Sequence, residues 1–452
     1  MDSKKNDDIM ADVNIFAAFI DTVLKPTVFV ISDSIFTWTL PIVAVFSIFF
    51  YVIAIDGLIR RGRPSLPSFG SVKNWPNVTI QLPTYNEPVA LKCAEKCLNF
   101  DYPADKFNII IGDDSDNPKI SKLIDKFASK HSENVTVTRR GHNEGFKAGN
   151  LNHMLKVGKN GDVIVIFDSD FLPSRDFLKR IVRPFANKKI AGVQARWQFL
   201  NPGQNLVSSL ASSILYMYHH LVMPAFNKHK ISLICGSAEA VRKDVLDELG
   251  GWQAGSLTED TEFSLRCIKN GYQIAYLHDL EANGEVPFTV KGFKRQQMRW
   301  GYGTTSAYLK HSKGILTSKL FSIKQKVFMS FIMFGYITSP LLALLFISGI
   351  LAFITNAPAP IDFTKFLISF GSNMVLISGF IFAGMVALYK EGKFRLAPTL
   401  IISSLTVGIF TSFYIAKAFF KAVFKKPMKW HIIQKKGNNQ FFSLAKTSVA
   451  YE

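Results

Sequence analysis

The sequence predicts an α/β domain with an open, mostly parallel sheet, inserted between transmembrane helices. Between Val78 and about Trp300, short apolar runs (NVTIQL, FNIIIG, NVTVT, DVIVIFD, IAGVQA) alternate with amphipathic stretches. That alternation is the pattern of strands separated by helices. Outside this region, 35–55, 327–354 and 366–389 are free of charge and long enough to cross a hydrocarbon core. The 452 residues are 48% hydrophobic and include 40 Phe, yet the formal net charge is +19. Apolar helices in a bilayer, with basic faces against anionic lipid, reconcile those two facts.

Taken in order, 1–63 form an N-terminal interfacial segment and a first span. The opening MDSKKNDDIM is charged and lacks a signal-peptide pattern. Residues 13–31 are apolar but interrupted by Asp21, Lys25 and Pro26, which leaves an interfacial helix and a poor span both open. Residues 35–55 cross, and Arg60, Arg61 and Arg63 place that end in the cytoplasm. A Pro/Ser/Gly-rich linker then opens the domain at 64–306, a cytosolic one because no stretch in it could span. An interfacial basic segment, 307–326, leads to two spans within 327–390. Their connecting TNAPAPIDF has no Lys or Arg and suits the outside. The apolar 397–416 is followed by Lys417, Lys421, Lys425, Lys426 and Lys429. A span there would export those charges, so 391–426 reads as an amphipathic helix on the cytoplasmic leaflet, with 427–452 a cytosolic tail.

Several classes are excluded. Four cysteines without neighbouring His give neither a zinc site nor a disulfide framework, and suit a reducing cytosol. No zinc-finger, RNA-recognition or helix-turn-helix signature accompanies the basic charge, so nucleic acid is not an expected partner. There is no P-loop or EF-hand, and GYGTTS at 301–306 follows Trp300 rather than a strand, so it is no dinucleotide fingerprint.

The chemistry centres on VIVIFDSDF, 163–171. Asp168 and Asp170 crowd together at the carboxyl end of a buried strand, where α/β sheets present their ligand crevice, and repel unless a cation sits between them. Oxygen ligands of this kind suit Mg²⁺ or Mn²⁺, which would hold a diphosphate. Further motifs sit at strand ends and loops: QLPTYNE (81–87), DDSD (113–116), FKAGN (146–150), CGS (235–237), TED (258–260) and QQMRW (296–300). Each has an ordinary explanation alone. TED resembles a helix N-cap, QxxRW a lipid-facing helix and Lys147 a solvated turn residue, while Trp197 and Trp252 suit a core.

In joint order these motifs resemble the processive family 2 glycosyltransferases, the cellulose, mannan and hyaluronan synthases, with wording nearest the cellulose-synthase-like mannan synthases. The resemblance covers roughly 76–306 and implies a Rossmann-like GT-A domain. It implies that Thr84, Tyr85, Glu87 and Asp114 line the nucleotide pocket, with Lys147 near its phosphates. Asp168 and Asp170 would share the metal and diphosphate. Glu259 and Asp260 would be the catalytic acids, Asp260 being the base that takes the acceptor's proton. Gln296 and Arg299 would hold the diphosphate and Trp300 the acceptor sugar, with Cys235, Gly236 and Ser237 along the acceptor path. The segment from Trp430 to Lys435 resembles the family's gating loop, with Ile433 where the family has Thr.

The expected protein is thus a membrane-integrated, inverting hexosyltransferase using Mg²⁺ or Mn²⁺. It would extend a β-linked glycan from a nucleotide sugar, UDP-glucose first and GDP-mannose second. A non-processive enzyme with a lipid acceptor, of the ceramide glucosyltransferase kind, is the alternative. A catalytically silent scaffold fits poorly with so complete a set of acids. Few spans imply that protomers associate, that a partner completes the pore, or that no long chain is secreted. The expected location is the plasma membrane or, in a eukaryote, a Golgi-type membrane.

Overall fold

The five apolar runs fold as expected, around the pair β1–β4. The computed structural model describes residues 16–59, 74–157, 160–356, 362–429, 433, 435 and 437. A helix α1, Phe16–Ile59, precedes β1 (Val78–Thr84), α2 (Ala90–Leu98), β2 (Phe107–Asp113), α3 (Pro118–Lys130) and β3 (Val135–Thr138). Next come α4 (Phe146–Val157), β4 (Val163–Ile166), the two-residue β5 (Leu172–Pro173), α5 (Phe177–Ile181), β6 (Ile190–Phe199), α6 (Leu206–Met217) and α7 (Met223–Lys228). The domain closes with β7 (Glu239–Arg242), α8 (Lys243–Glu248), α9 (Glu259–Lys269), β8 (Gln273–Gly284) and the long α10 (Val290–Thr317).

The eight strands are ordered β3-β2-β1-β4-β7-β6-β8-β5. β3, β2, β1 and β4 run parallel, and so do β6 and β8. β7 is antiparallel to both its neighbours, and β5 to β8. Ile80, Ile109, Ile111, Val163 and Val165 are buried in one core layer, Ile110, Ile164 and Ile166 in the other. Residues covered on both faces explain why these strands read as unbroken apolar runs. The chain order reverses across β1 and β4, so their carboxyl ends open the crevice where α/β sheets place ligands. β5, β7 and β8 were not foreseen. β7 opens with Glu239 and β8 interleaves His278, Asp279, Glu281 and Asn283 with apolar residues, so neither is an unbroken apolar run.

The membrane segment departs from expectation in three places. Residues 16–31 are no separate interfacial helix: Phe16–Ile59 is one 44-residue helix. A π-turn at Ile20–Leu24 and Pro41 are accommodated within it. The uncharged 327–354 is broken, with α11 (Ile323–Met333) ending before a 3₁₀ turn and α12 (Thr338–Asn356) beginning after it. Pro340 falls in the first turn of α12, where a missing N–H costs nothing. The second expected span is also broken, into α13 (Phe363–Ile377) and α14 (Gly379–Lys390), which are bent by 63°. There the backbone groups freed by the bend find partners on α1. Ser47 Oγ accepts from Gly379 N at 2.7 Å, and Tyr51 Oη donates to the Val375 carbonyl at 2.8 Å. Such replacement is what allows a break at membrane depth. Phe394–Val423, here α15, is long and apolar enough to cross a membrane, yet Glu391 before it pairs with Arg196 and Lys435 after it with Asp170, so both of its flanks reach the α/β domain. Its charges sit near its ends, at Arg395, Lys417 and Lys421.

A buried ionic cluster ties the two halves together. Glu391, following α14, accepts from Arg196 Nη1 (2.8 Å) and Gln198 Nε2 (2.7 Å) of β6, lies 2.7 Å from His220 Nε2, and pairs with Lys393 at 3.0 Å. Its side chain is only 8% exposed. Burial alone would raise the pKa of Glu391, but bonds from His220, Lys393 and Gln198 hold it well below the ordinary carboxylate range. Glu391→Ala leaves Arg196 with Glu281 as its remaining carboxylate and Gln198 Nε2 without its acceptor, and is expected to destabilise the protein by roughly 1–3 kcal/mol. Thermal denaturation of the detergent-solubilised protein measures it.

Candidate active site

The carboxyl ends of β1 and β4 deliver the first acids. Thr84 ends β1 and is buried. In the turn after it Asn86 takes φ 56° and Glu87 comes to lie beside Ser169, whose Oγ donates to Glu87 Oε2 at 2.6 Å. Asp168 receives Lys147 Nζ on Oδ1 at 2.7 Å, and its backbone N–H is held by Ser237 Oγ at 2.9 Å. Asp170 receives Lys435 Nζ on Oδ1 at 2.6 Å and the Glu285 N–H on Oδ2 at 2.8 Å. The contact places Lys435 against the DSD turn. Trp430, the other gating-loop residue, lies outside the described residues.

The TED acids arrive from the opposite side. Glu259 Oε1 is 3.4 Å from Lys147 Nζ, which also donates to the Gly236 carbonyl. Asp260 faces Gly236, where a Cβ would lie 3.3 Å from Asp260 Oδ2 and 3.5 Å from Lys147 Nζ. Gly236 has φ 88°, a conformation natural to glycine alone. The CGS turn is fixed from behind. Gln194 Oε1 accepts from Cys235 N at 2.7 Å, and Trp197 Nε1 donates to the Ser237 carbonyl at 2.9 Å. Thr258 makes no side-chain cap for α9, and its buried Oγ1 has no hydrogen-bond partner, so the simple N-cap explanation of TED does not hold. Gly303 of α10 lets Thr258 approach, since a Cβ there would fall 2.5 Å from Thr258 Cγ2. That close packing accounts for one glycine of GYGTTS.

Charge is concentrated here in little solvent. Burial, with Glu259 adjacent, pushes the Asp260 pKa up to about 7 against the pull of the Thr261 N–H, Lys147 and Arg299. Burial raises Glu87 to about 7 as well, although Lys435 and the Ser169 hydroxyl oppose it. Asp168 goes the other way: burial would raise it, but Lys147, Lys435 and Arg299 outweigh that and lower it. For Lys147, burial is outweighed by Asp168, Glu259 and Glu239, so the ammonium is held charged. Glu239 is the acid the sequence did not single out. It sits opposite Ile166 in the β4–β7 register, accepts from Gly236 N at 2.6 Å, and is raised by burial and by Asp260. An isolated Glu in a short strand gives no periodic signal.

Two expected residues are differently engaged. Asp114 has both oxygens taken by the Arg140 fork, at 2.9 and 2.6 Å, and Arg140 also donates to the Phe146 carbonyl next to Lys147. Tyr85 Oη donates to Asp116 at 2.8 Å. Both are therefore fixed by neighbouring side chains. On α10, Gln296 Oε1 and Arg299 Nε are buried without partners, an arrangement that suits polar groups awaiting a ligand. Trp300 lines a cavity of about 1060 Å³ that also touches Asp260, Cys235, Trp197 and Thr258. Trp197 and Trp252 are buried in the core, as expected.

The donor set fits a hard divalent cation. Asp168 and Asp170 offer carboxylate oxygens, with Asp168 35% exposed and Asp170 1% exposed. Among the described residues no group of three His, Cys, Asp or Glu is placed to hold a metal. The protein would thus contribute two ligands and leave the rest to substrate phosphates and water, the usual manner of Mg²⁺.

The chain is similar to proteins of known family. The family described as "Glycosyltransferase like family 2" matches residues 76–303. Glucomannan 4-beta-mannosyltransferase 7 of Arabidopsis thaliana is 32% identical over 271 residues, 58% of this chain and 48% of its own length. Glucomannan 4-beta-mannosyltransferase 1 of Oryza sativa subsp. japonica is 32% identical over 269 residues, 56% and 50% respectively. The chain spans about half the length of the curated relatives it matches. The mannosyltransferase PcManGT of Pyrobaculum calidifontis, solved with GDP-Man and Mn²⁺, shares the fold over 87% of this chain and 99% of its own, with a TM-score of 0.59 and 19% identity. The chain belongs to the family 2 glycosyltransferases, of the cellulose-synthase-like type.

Proposed function

We propose that this protein is a membrane-integrated hexosyltransferase that moves a sugar from a nucleotide diphosphate to an acceptor hydroxyl of a β-linked glycan, with inversion. The observation that carries the reading is the meeting of Asp168, Glu259 and Asp260 around Lys147, with Arg299 of α10 close enough to act on Asp168 and Asp260. The relatives are named for mannosyl transfer, which moves the preferred donor from UDP-glucose to GDP-mannose. The basic residues after α14 and α15 support a cytoplasmic position for the α/β domain.

Asp260 takes the proton of the acceptor hydroxyl, whose oxygen attacks the anomeric carbon. The bond to the diphosphate breaks and its electron pair leaves with the phosphate. Arg299 and Lys147 stabilise that charge, the first as a planar fork and the second as a point charge. Asp168 and Asp170 would hold a divalent ion that screens the diphosphate, and Lys435 would give up Asp170 to it. A base poised near neutrality suits proton abstraction. Gly236 positions Asp260 and Lys147, and Trp300 offers a flat apolar face to the acceptor ring.

The decisive assay supplies radiolabelled GDP-mannose or UDP-glucose with Mn²⁺ or Mg²⁺ to the purified protein. Transfer with GDP-mannose is expected, and no transfer from either donor would reject the reading. Asp260→Asn should keep nucleotide affinity by calorimetry and lose 10²–10⁴ in kcat. The kcat/KM profile should rise as pH climbs through about 7, because the deprotonated Asp260 is the active form. Glu259→Gln removes the like charge beside it and should move that limb to lower pH. Gly236→Ala forces a side chain into φ 88° and should lower stability by about 1–3 kcal/mol, seen as a reduced denaturation midpoint.

A further inference from the structure

The cavity that begins at Asp260 does not end in the α/β domain. It continues between α1, α12 and α13, and Phe36, Phe46, Phe50, Phe346, Phe353 and Phe370 line its membrane part. Its charged lining residues are Asp260 at one end and Asp33 on α1. From Thr338 to Ile350 along α12, both lining residues, it runs about 18 Å at 1.5 Å per residue. Gly349 abuts Phe36, where a Cβ would lie 3.2 Å from the ring, so α1 and α12 approach closely there. Its polar end, with Thr258, Asp260, Gln297 and Trp300, is the candidate active site itself.

Ser47, Ser369 and Asn373 interrupt a lining that is otherwise mainly apolar, so a glycan threaded through this space would lose water from most of its hydroxyls and regain few hydrogen bonds. A hydrocarbon chain has no such cost. The volume, about 1060 Å³, is at the upper end of a single-ligand pocket. We propose that the acceptor is lipid-borne: its hydrocarbon chain lies among α1, α12 and α13, and its sugar hydroxyl reaches Asp260. This rests on the hexosyltransferase reading and names the kind of acceptor on which synthesis begins.

The test uses the full chain in zwitterionic nanodiscs with GDP-mannose, Mn²⁺ and a series of alkyl β-mannosides from butyl to dodecyl. In the unmodified protein KM should fall as the chain lengthens, with kcat little changed. Ile350→Trp fills the far part of the cavity and should raise KM for the dodecyl glycoside roughly tenfold, flattening the series. Val52→Trp, on the exposed outer side of α1, should retain the full chain-length dependence. A KM indifferent to chain length overturns the inference. So does an equal fall in Ile350→Trp, which would reduce the effect to partitioning into the bilayer. Absence of transfer to every glycoside, from GDP-mannose and UDP-glucose alike, overturns the reaction proposed above and this inference with it.

Discussion

Carboxylates crowd at the carboxyl end of this sheet, and two lysines make that crowding tolerable. Lys147 comes from α4, between β3 and β4, and Lys435 from the far end of the chain. Without them Asp168, Asp170, Glu87 and Glu259 would repel one another in a site poor in water, where such repulsion is strong. The lysines allow the two sides of the site to differ. Asp168 is held ionised beside them, while Asp260, closer to Glu259, is left near neutrality. One neighbourhood thus favours a ligand for cations and the other an acceptor of protons.

Much of this was legible in the residues. β1, β2, β4 and β6 announced themselves because strands buried on both faces are largely apolar, while the edge strand β3 alternates Val and Thr. The acids were legible as motifs because each sits in a loop at a strand end. What could not be read was pairing. Nothing local to Asp114 says that Arg140 takes both its oxygens, and nothing local to Asp170 says that a residue 265 positions later reaches it. Glu239 was invisible for a related reason: its burial follows from an antiparallel β7 wedged between β4 and β6. The membrane breaks were hidden too, because hydropathy records apolarity and is blind to the bond that Ser47 offers Gly379.

The α/β domain and the membrane helices share residues in both directions. Glu391, from the membrane half, neutralises Arg196 of β6, and Arg196 lies in the same VQARW run as Gln194 and Trp197, which hold the CGS turn. On the other side of the site α10 packs along α15, with Gly301 meeting Ile415 and Tyr336. The residues closest to Asp260 are therefore braced from both layers. A site at the junction of water and hydrocarbon needs this, since neither layer alone surrounds it.

The bend between α13 and α14 has a consequence for how the chain enters its bilayer. The Gly379 amide at the bend is completed by Ser47, and the Val375 carbonyl, which also accepts from Ser378, is joined by Tyr51, both over three hundred residues upstream. Presented to lipid before that helix was seated, the bend would expose backbone groups that hydrocarbon cannot satisfy. Biogenesis is thereby given a sequence of events: α1, made before the broken pair, is the template on which that pair settles.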